Sequence, residues 1–214
     1  MSSEKVNSKA NDDDALEPLK ISCKTTDCAS GLHYFKQTKQ MREGNILPKC
    51  ENCDADLVQW EEVWERDPND IENTFKSLKY EFIRHHYWHK EFDEKAVNYA
   101  LRKGKIELIN TVEKRIRASV KAPVDAFDGR RTKWEGNPIH YGQHATATCC
   151  RKCIERWHNV PRDEELTEKQ VKYFTHLVIM FLEERFPNLP DGKTKVPVNR
   201  KSNGSKNKTT QNDH

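Results

Sequence analysis

Four cysteines near the start of the chain have the spacing of a metal site. Cys23 and Cys28 are followed by Cys50-Glu51-Asn52-Cys53, a CxxxxC…CxxC pattern. Four thiolates meet the tetrahedral preference of zinc. A CxxC turn lets two sulfurs converge on one ion while backbone N–H groups temper their charge. Lys49, beside Cys50, adds positive charge that favours the thiolate. The segment has little apolar content, so a bound metal would supply its folding free energy. His33 is an alternative ligand in place of one Cys. A redox CxxC is a competing chemistry, but no βαβ pattern surrounds it. Four unrelated buried cysteines are the bland alternative.

A second group lies in Gln143-His144-Ala145-Thr146-Ala147-Thr148-Cys149-Cys150-Arg151-Lys152-Cys153-Ile154-Glu155-Arg156-Trp157-His158. On a helix, Cys149 or Cys150 shares a face with Cys153. His144 precedes that helix and His158 ends it. A metal could therefore draw on His144, Cys149, Cys153 and, if the helix stops early, His158. Three Cys can also hold an iron–sulfur cluster if a fourth thiolate comes from the first group. A reactive thiol is a further reading: Arg151, Lys152 and the helix N-terminus would lower its pKa, with His144 or His158 as base. Buried helical cysteines that act as small hydrophobes are the plain alternative. His85 and His89 form an i,i+4 pair, but the intervening residues lack the Glu of a metalloprotease HExxH.

Between Asp128 and His140 the chain is basic, aromatic and glycine-bearing. Arg130, Arg131, Lys133 and Trp134 are candidates to grip a phosphate backbone and stack on a base. A structural crossover with solvated charges is the competing reading. For an enzyme acting on nucleic acid, His144, Asp128 and Glu155 are the candidates to activate water or transfer protons.

These residues must be positioned by helices. Asp70-Ile71-Glu72 opens an apolar-periodic run through Phe75, Leu78, Lys79 and Phe82. Asp93 caps a second helix that Gly104 ends as a left-handed residue. A third runs from Lys105 to Val120 with Ile106, Ile109, Val112 and Ile116 along a stripe. A long loop leads to a helix from Ala145 to Trp157. The last helix opens at a capping box, Thr167-Glu168-Lys169-Gln170, and continues to Phe186. No βαβ unit or repeat is present.

The organisation follows: an acidic disordered tail at 1–19, a zinc ribbon at 20–56, a helical His/Cys domain at 57–186 and a basic disordered tail at 187–214. Charged residues are 33% of the 214 and hydrophobic ones 35%, and mean hydropathy is -1.00. Ordinary domains are about half apolar, so tails and metal must account for the polarity. No stretch approaches the roughly 18 apolar residues of a membrane span, and the first residues have no apolar core for secretion. A cytoplasmic location is expected. In a reducing compartment, seven Cys point to metal or catalysis rather than disulfides. The net charge of +3 is too small to argue for nucleic acid by itself.

Asp128-Gly129-Arg130, Gly136-Asn137-Pro138, the run from Gln143 to Cys153, and Trp157-His158 resemble the signature of a bacterial family catalogued as a domain of unknown function. Its members read roughly NDGKQTP, GHPV, AQHATATCCRxCxxxWH, then IP and a final helix. The resemblance spans 78–186 and implies a small helical domain with no established reaction. This chain departs from it with Arg130-Arg131 in place of Lys-Gln and Lys133 in place of Pro. His85, His86 and His89 also fall where members carry other residue types. The expected fold is thus all-α with an N-terminal zinc ribbon and flexible tails. The expected function is zinc-dependent nucleic-acid binding, with DNA or RNA as partner. The alternatives are a metal-dependent nuclease or glycosylase, and a protein-interaction module with structural zinc.

Overall fold

The computed structural model describes residues 21–123 and 132–196. The expected acidic tail, most of the expected basic tail, and Asp128, Arg130 and Arg131 lie outside these residues. Eight α-helices and one two-stranded sheet are present among the described residues. No described helix is long and apolar enough to cross a membrane.

Amphipathic periodicity builds the helical core. Helix α5 (Glu94–Ile116) buries Ala96, Ala100, Leu108, Val112 and Ile116, an i,i+4 stripe. Helix α8 (Glu168–Arg185) buries Val171, Phe174, Leu177, Val178, Phe181 and Leu182, and begins at the expected capping box. There the Thr167 side chain accepts from Gln170 N, and the Gln170 side chain accepts from Thr167 N. Helix α6 (Pro138–Ala145) starts with Pro at its first position behind an Asn137 cap. It packs on α8 at Gly142, where a Cβ would sit 2.9 Å from Val178. Helix α4 (Phe82–His89) lies against α6.

Asp93 caps α5 as expected, accepting from Ala96 N, and the helical dihedrals break at Gly104 (φ 70°, ψ 166°). The chain beyond α8 occupies that break. Lys105 N donates to Pro190 O at 2.8 Å, and Thr194 N donates to Leu101 O at 2.8 Å. Residues 190–194, read from sequence as tail, therefore run against α5.

Two expected helices are divided. The run from Ile71 to Phe82 is α3 (Ile71–Leu78) and α4, separated by Lys79–Glu81. The interruption frees backbone for the N-terminal segment: His33 N donates to Tyr80 O and Phe82 N to His33 O. The expected helix 145–157 is the end of α6, a non-helical stretch with Ala147 at φ 56°, and then α7 (Arg151–His158). Local polar bonds favour this path. The Thr146 hydroxyl donates to Gly142 O at 2.7 Å, and the Gln143 amide donates to Thr148 O at 3.2 Å.

The N-terminal segment holds α1 (Lys39–Glu43) between strands β1 (Phe35–Lys36) and β2 (Lys49–Cys50). They are antiparallel, with Phe35 opposite Cys50. Phe35 is fully buried, edge-on to Trp157 and to Trp60 of α2 (Trp60–Glu65), with centroids at 5.8 and 5.6 Å. One aromatic core therefore serves this segment and the helices.

Candidate metal centres

The first centre is built by two tight turns. Asp27 and Leu32 exchange backbone hydrogen bonds of 2.8 and 2.9 Å around the 3-10 turn Cys28–Ser30, which Gly31 closes at φ 74°. This reversal places Cys28 and His33 side by side. Opposite them, Asp54 (φ 55°) turns the chain so that Asp54 N donates to Cys50 O at 3.0 Å. The donor atoms of Cys28, His33, Cys50 and Cys53 all lie within 4.8 Å of one another. Cys28 Sγ is 3.7 Å from Cys50 Sγ, and Cys53 Sγ is 3.4 Å from His33 Nδ1. The Asn52 amide donates to Cys28 Sγ at 3.5 Å. Burial works against the Cys50 thiolate. The backbone N–H groups around it and the His33 ring outweigh that, and the thiol falls to about 6. Three thiolates and an imidazole are a tetrahedral zinc donor set.

This grouping differs from the sequence expectation. Cys23 does not join Cys28, Cys50 and Cys53; His33 does. The Asp27–Leu32 ring turns the chain back at Cys28, and the chain before it leads away towards α7. The signal available in the sequence was a histidine just past a glycine turn, five residues after Cys28.

The second centre lies at the start of α7. Cys149 and Cys150 precede the helix and Cys153 is in its first turn, where Cys153 N and Ile154 N both donate to Cys150 O at 3.1 Å. The three sulfurs lie within 4.8 Å of one another. Behind them is a buried charge network. Arg84 has no exposed surface and donates to Glu81 at 2.8 Å, to His144 O at 2.6 Å and to Cys153 Sγ at 3.3 Å. Glu81, also fully buried, accepts from Arg156 at 2.9 Å and from the Trp157 indole at 2.7 Å. The neighbouring thiols Cys149, Cys150 and Cys23, joined by Arg84, hold the Cys153 thiol well below its ordinary value.

The two histidines expected at this centre stand apart from it. His144 stacks on both Tyr87 and Trp134, centroids at 4.6 and 4.5 Å, in a triangle of rings whose other two members are 6.0 Å apart, and its Nε2 donates to Lys133 O at 3.2 Å. His158 is fully buried beside Phe174 and donates through Nε2 to Thr146 O at 3.1 Å. Burial lowers both, to about 4 and about 3, so both rings are neutral. The helix expected from 145 to 157 is interrupted between 146 and 150, and each ring packs on its own aromatic neighbours instead. Glu155 is engaged by Arg42 at 3.4 Å and Arg162 at 3.5 Å. The His85 and His89 rings touch at 4.1 Å, tilted by 36°, and the His89 ring bonds to His85 O. They belong to no larger donor group among the described residues.

A cavity of about 430 Å³ opens on the second centre. Cys23, Cys149, Cys150 and Cys153 line it, with His144, Tyr34 and Trp134 as its aromatic wall. Lys24, Lys152, Arg156 and Arg162 also line it, and no acidic side chain does among the described residues. Trp134 is half exposed at 48%. Lys133 is exposed beside it.

Residues 72–183 match a family model described as "Domain of unknown function (DUF4186)", a span that includes the second centre and excludes the first. No solved structure matches the chain.

Proposed function

Because the chain belongs to this family of unknown function, its role must be read from its own residues, and we propose that it is a zinc-binding protein that recognises nucleic acid. Zinc is favoured at the first centre because three thiols and one imidazole, with no carboxylate, suit a borderline ion in a closed tetrahedral site. Such a site braces a fold and leaves no open position for chemistry. Recognition is assigned to the cavity at the second centre. The observation that carries it is a half-exposed Trp134 that lines the same cavity as three exposed cationic side chains, Lys24, Lys152 and Arg162. An indole face stacks on a base, and cations of this kind follow a phosphate backbone. Lys133 extends the same rim.

An enzyme acting on nucleic acid is the second reading. It is favoured by His144, which lines the cavity with Nδ1 buried and unpartnered. Its imidazole, held down to about 4, is a weak base at neutral pH. Glu155 is already occupied by two arginines.

The test is metal analysis of the purified chain followed by titration with single-stranded oligonucleotides, read by tryptophan fluorescence at about 50 and 200 mM salt. Zinc should be present, and affinity should fall steeply with salt. Trp134→Ala should weaken binding about tenfold, and Lys152→Glu should lower the salt slope by about one. No binding at low salt, or binding indifferent to both substitutions, would remove the nucleic-acid reading.

A further inference from the structure

We infer that Cys23 is the fourth thiolate of a second metal site completed by Cys149, Cys150 and Cys153, so that the N-terminal segment and the helical domain are clasped through two interleaved centres. The inference shares with the reading above only the premise that the first centre takes metal, and it does not need nucleic acid.

The donor count comes first. Cys149, Cys150 and Cys153 bring three sulfurs within 4.8 Å of one another, one short of a closed tetrahedral set. The Cys23 side chain lines the same cavity as all three and stands just outside their 4.8 Å set, so a bound ion would draw it in. It is not needed elsewhere, because Cys28, His33, Cys50 and Cys53 already form a set of four. All seven cysteines are free thiols, and the two sets together use every one of them.

The charge count is independent. Arg84 and Arg156 are buried against a single carboxylate, Glu81. Two guanidiniums and one carboxylate leave one buried positive charge, and an unbalanced buried charge is costly. Neutral thiols do not balance it. Four thiolates around a divalent ion carry two negative charges, and Arg84 donates to one of those sulfurs at 3.3 Å, with a second at 4.0 Å. The assembly then carries one residual negative charge. The N-terminus of α7, where these cysteines sit, and Lys24 and Lys152 at the cavity are placed to offset it. Thiolates without carboxylates select zinc or another thiophilic divalent ion.

The consequence is topological. Consecutive ligands of the N-terminal segment alternate between centres: Cys23 belongs to the second, and Cys28 and His33 belong to the first. Losing either ion would loosen the same stretch of chain.

The test uses the full chain, stripped of metal and reloaded with Co(II) and, separately, Zn(II). Wild type should take up two ions and show the ligand-field bands of tetrahedral cobalt with thiolate charge transfer. Cys23→Ser should reduce the charge-transfer intensity by one thiolate's share of seven and release one ion to a chelator more readily. Cys23→His should keep two ions with shifted ligand-field bands, which separates loss of a ligand from loss of folding. Cys53→Ser should weaken the other ion and leave the second-centre spectrum in place. Two ions bound by Cys23→Ser with unchanged charge-transfer intensity would overturn the inference. So would a Cys23–Cys153 disulfide in freshly purified chain, or metal loss on His144→Gln but not on Cys23→Ser. A wild-type chain that takes up no metal would overturn the zinc reading as well. A single ion sensitive to Cys53→Ser alone would leave that reading standing and reject this inference.

Discussion

His158 shows what a single buried residue contributes. Its ring makes one hydrogen bond, to Thr146 O, and has no exposed surface. Burial in this apolar setting favours the neutral ring and lowers its pKa to about 3, against about 6.5 in an unfolded chain. The unfolded state therefore binds more protons in this range. Its stabilising contribution is complete above about pH 6.5 and is lost progressively as pH falls towards the folded value. Between about pH 7.5 and 5.5 the wild type should lose about 1 kcal/mol more stability than His158→Gln. Urea unfolding of both chains at the two pH values measures this, and parallel losses would contradict it. The sequence placed His158 among the metal ligands because His and Cys cluster there. The folded chain places its ring against Phe174 instead. The same shift of role applies to Glu155, which reads as a catalytic carboxylate and is held between Arg42 and Arg162.

At the scale of elements, helix ends were more legible than helix continuity. The Thr167 capping box and the Asp93 cap were readable because both are local hydrogen-bond patterns. Gly104 was readable as a helix end, but not as the dock for residues 190–194. Its conformation lies where only glycine is at ease, and a Cβ there would sit 2.5 Å from the Gly192 backbone. Gly104→Ala should therefore cost about 2 kcal/mol or more. It should also release this strap, seen as faster hydrogen exchange at the Lys105 and Thr194 amides. Unchanged exchange at both amides would refute this account. The breaks at 79–81 and 146–150 were not readable. Each exists because backbone or polar groups from elsewhere, or from a competing local bond, outweigh helix continuity.

Across the whole molecule, the N-terminal segment is tied to the helices by Phe35 between two tryptophans, by the His33 backbone bonds and by the thiol centres. Metal would supply what this short segment lacks in apolar burial. Chelation should leave most helical circular dichroism in place, lower the thermal midpoint and direct the first tryptic cuts to Lys36, Lys39, Arg42 and Lys49. An identical digestion pattern with and without chelator would show that the segment does not depend on metal. The match over residues 72–183 leaves this segment, with Cys28, His33, Cys50 and Cys53, outside the family model.

The sequence by itself determined that the chain is helical, where several helices begin, and that its cysteines and histidines gather in two regions. Periodicity, caps and composition are local and are written in consecutive residues. The tertiary structure alone decided which donors meet. It put His33 rather than Cys23 with Cys28, Cys50 and Cys53, set Cys23 on the cavity that Cys149, Cys150 and Cys153 line, and placed Arg84 behind the thiols. Coordination depends on distances of a few ångströms between segments far apart in the chain, and spacing within a motif does not carry those distances.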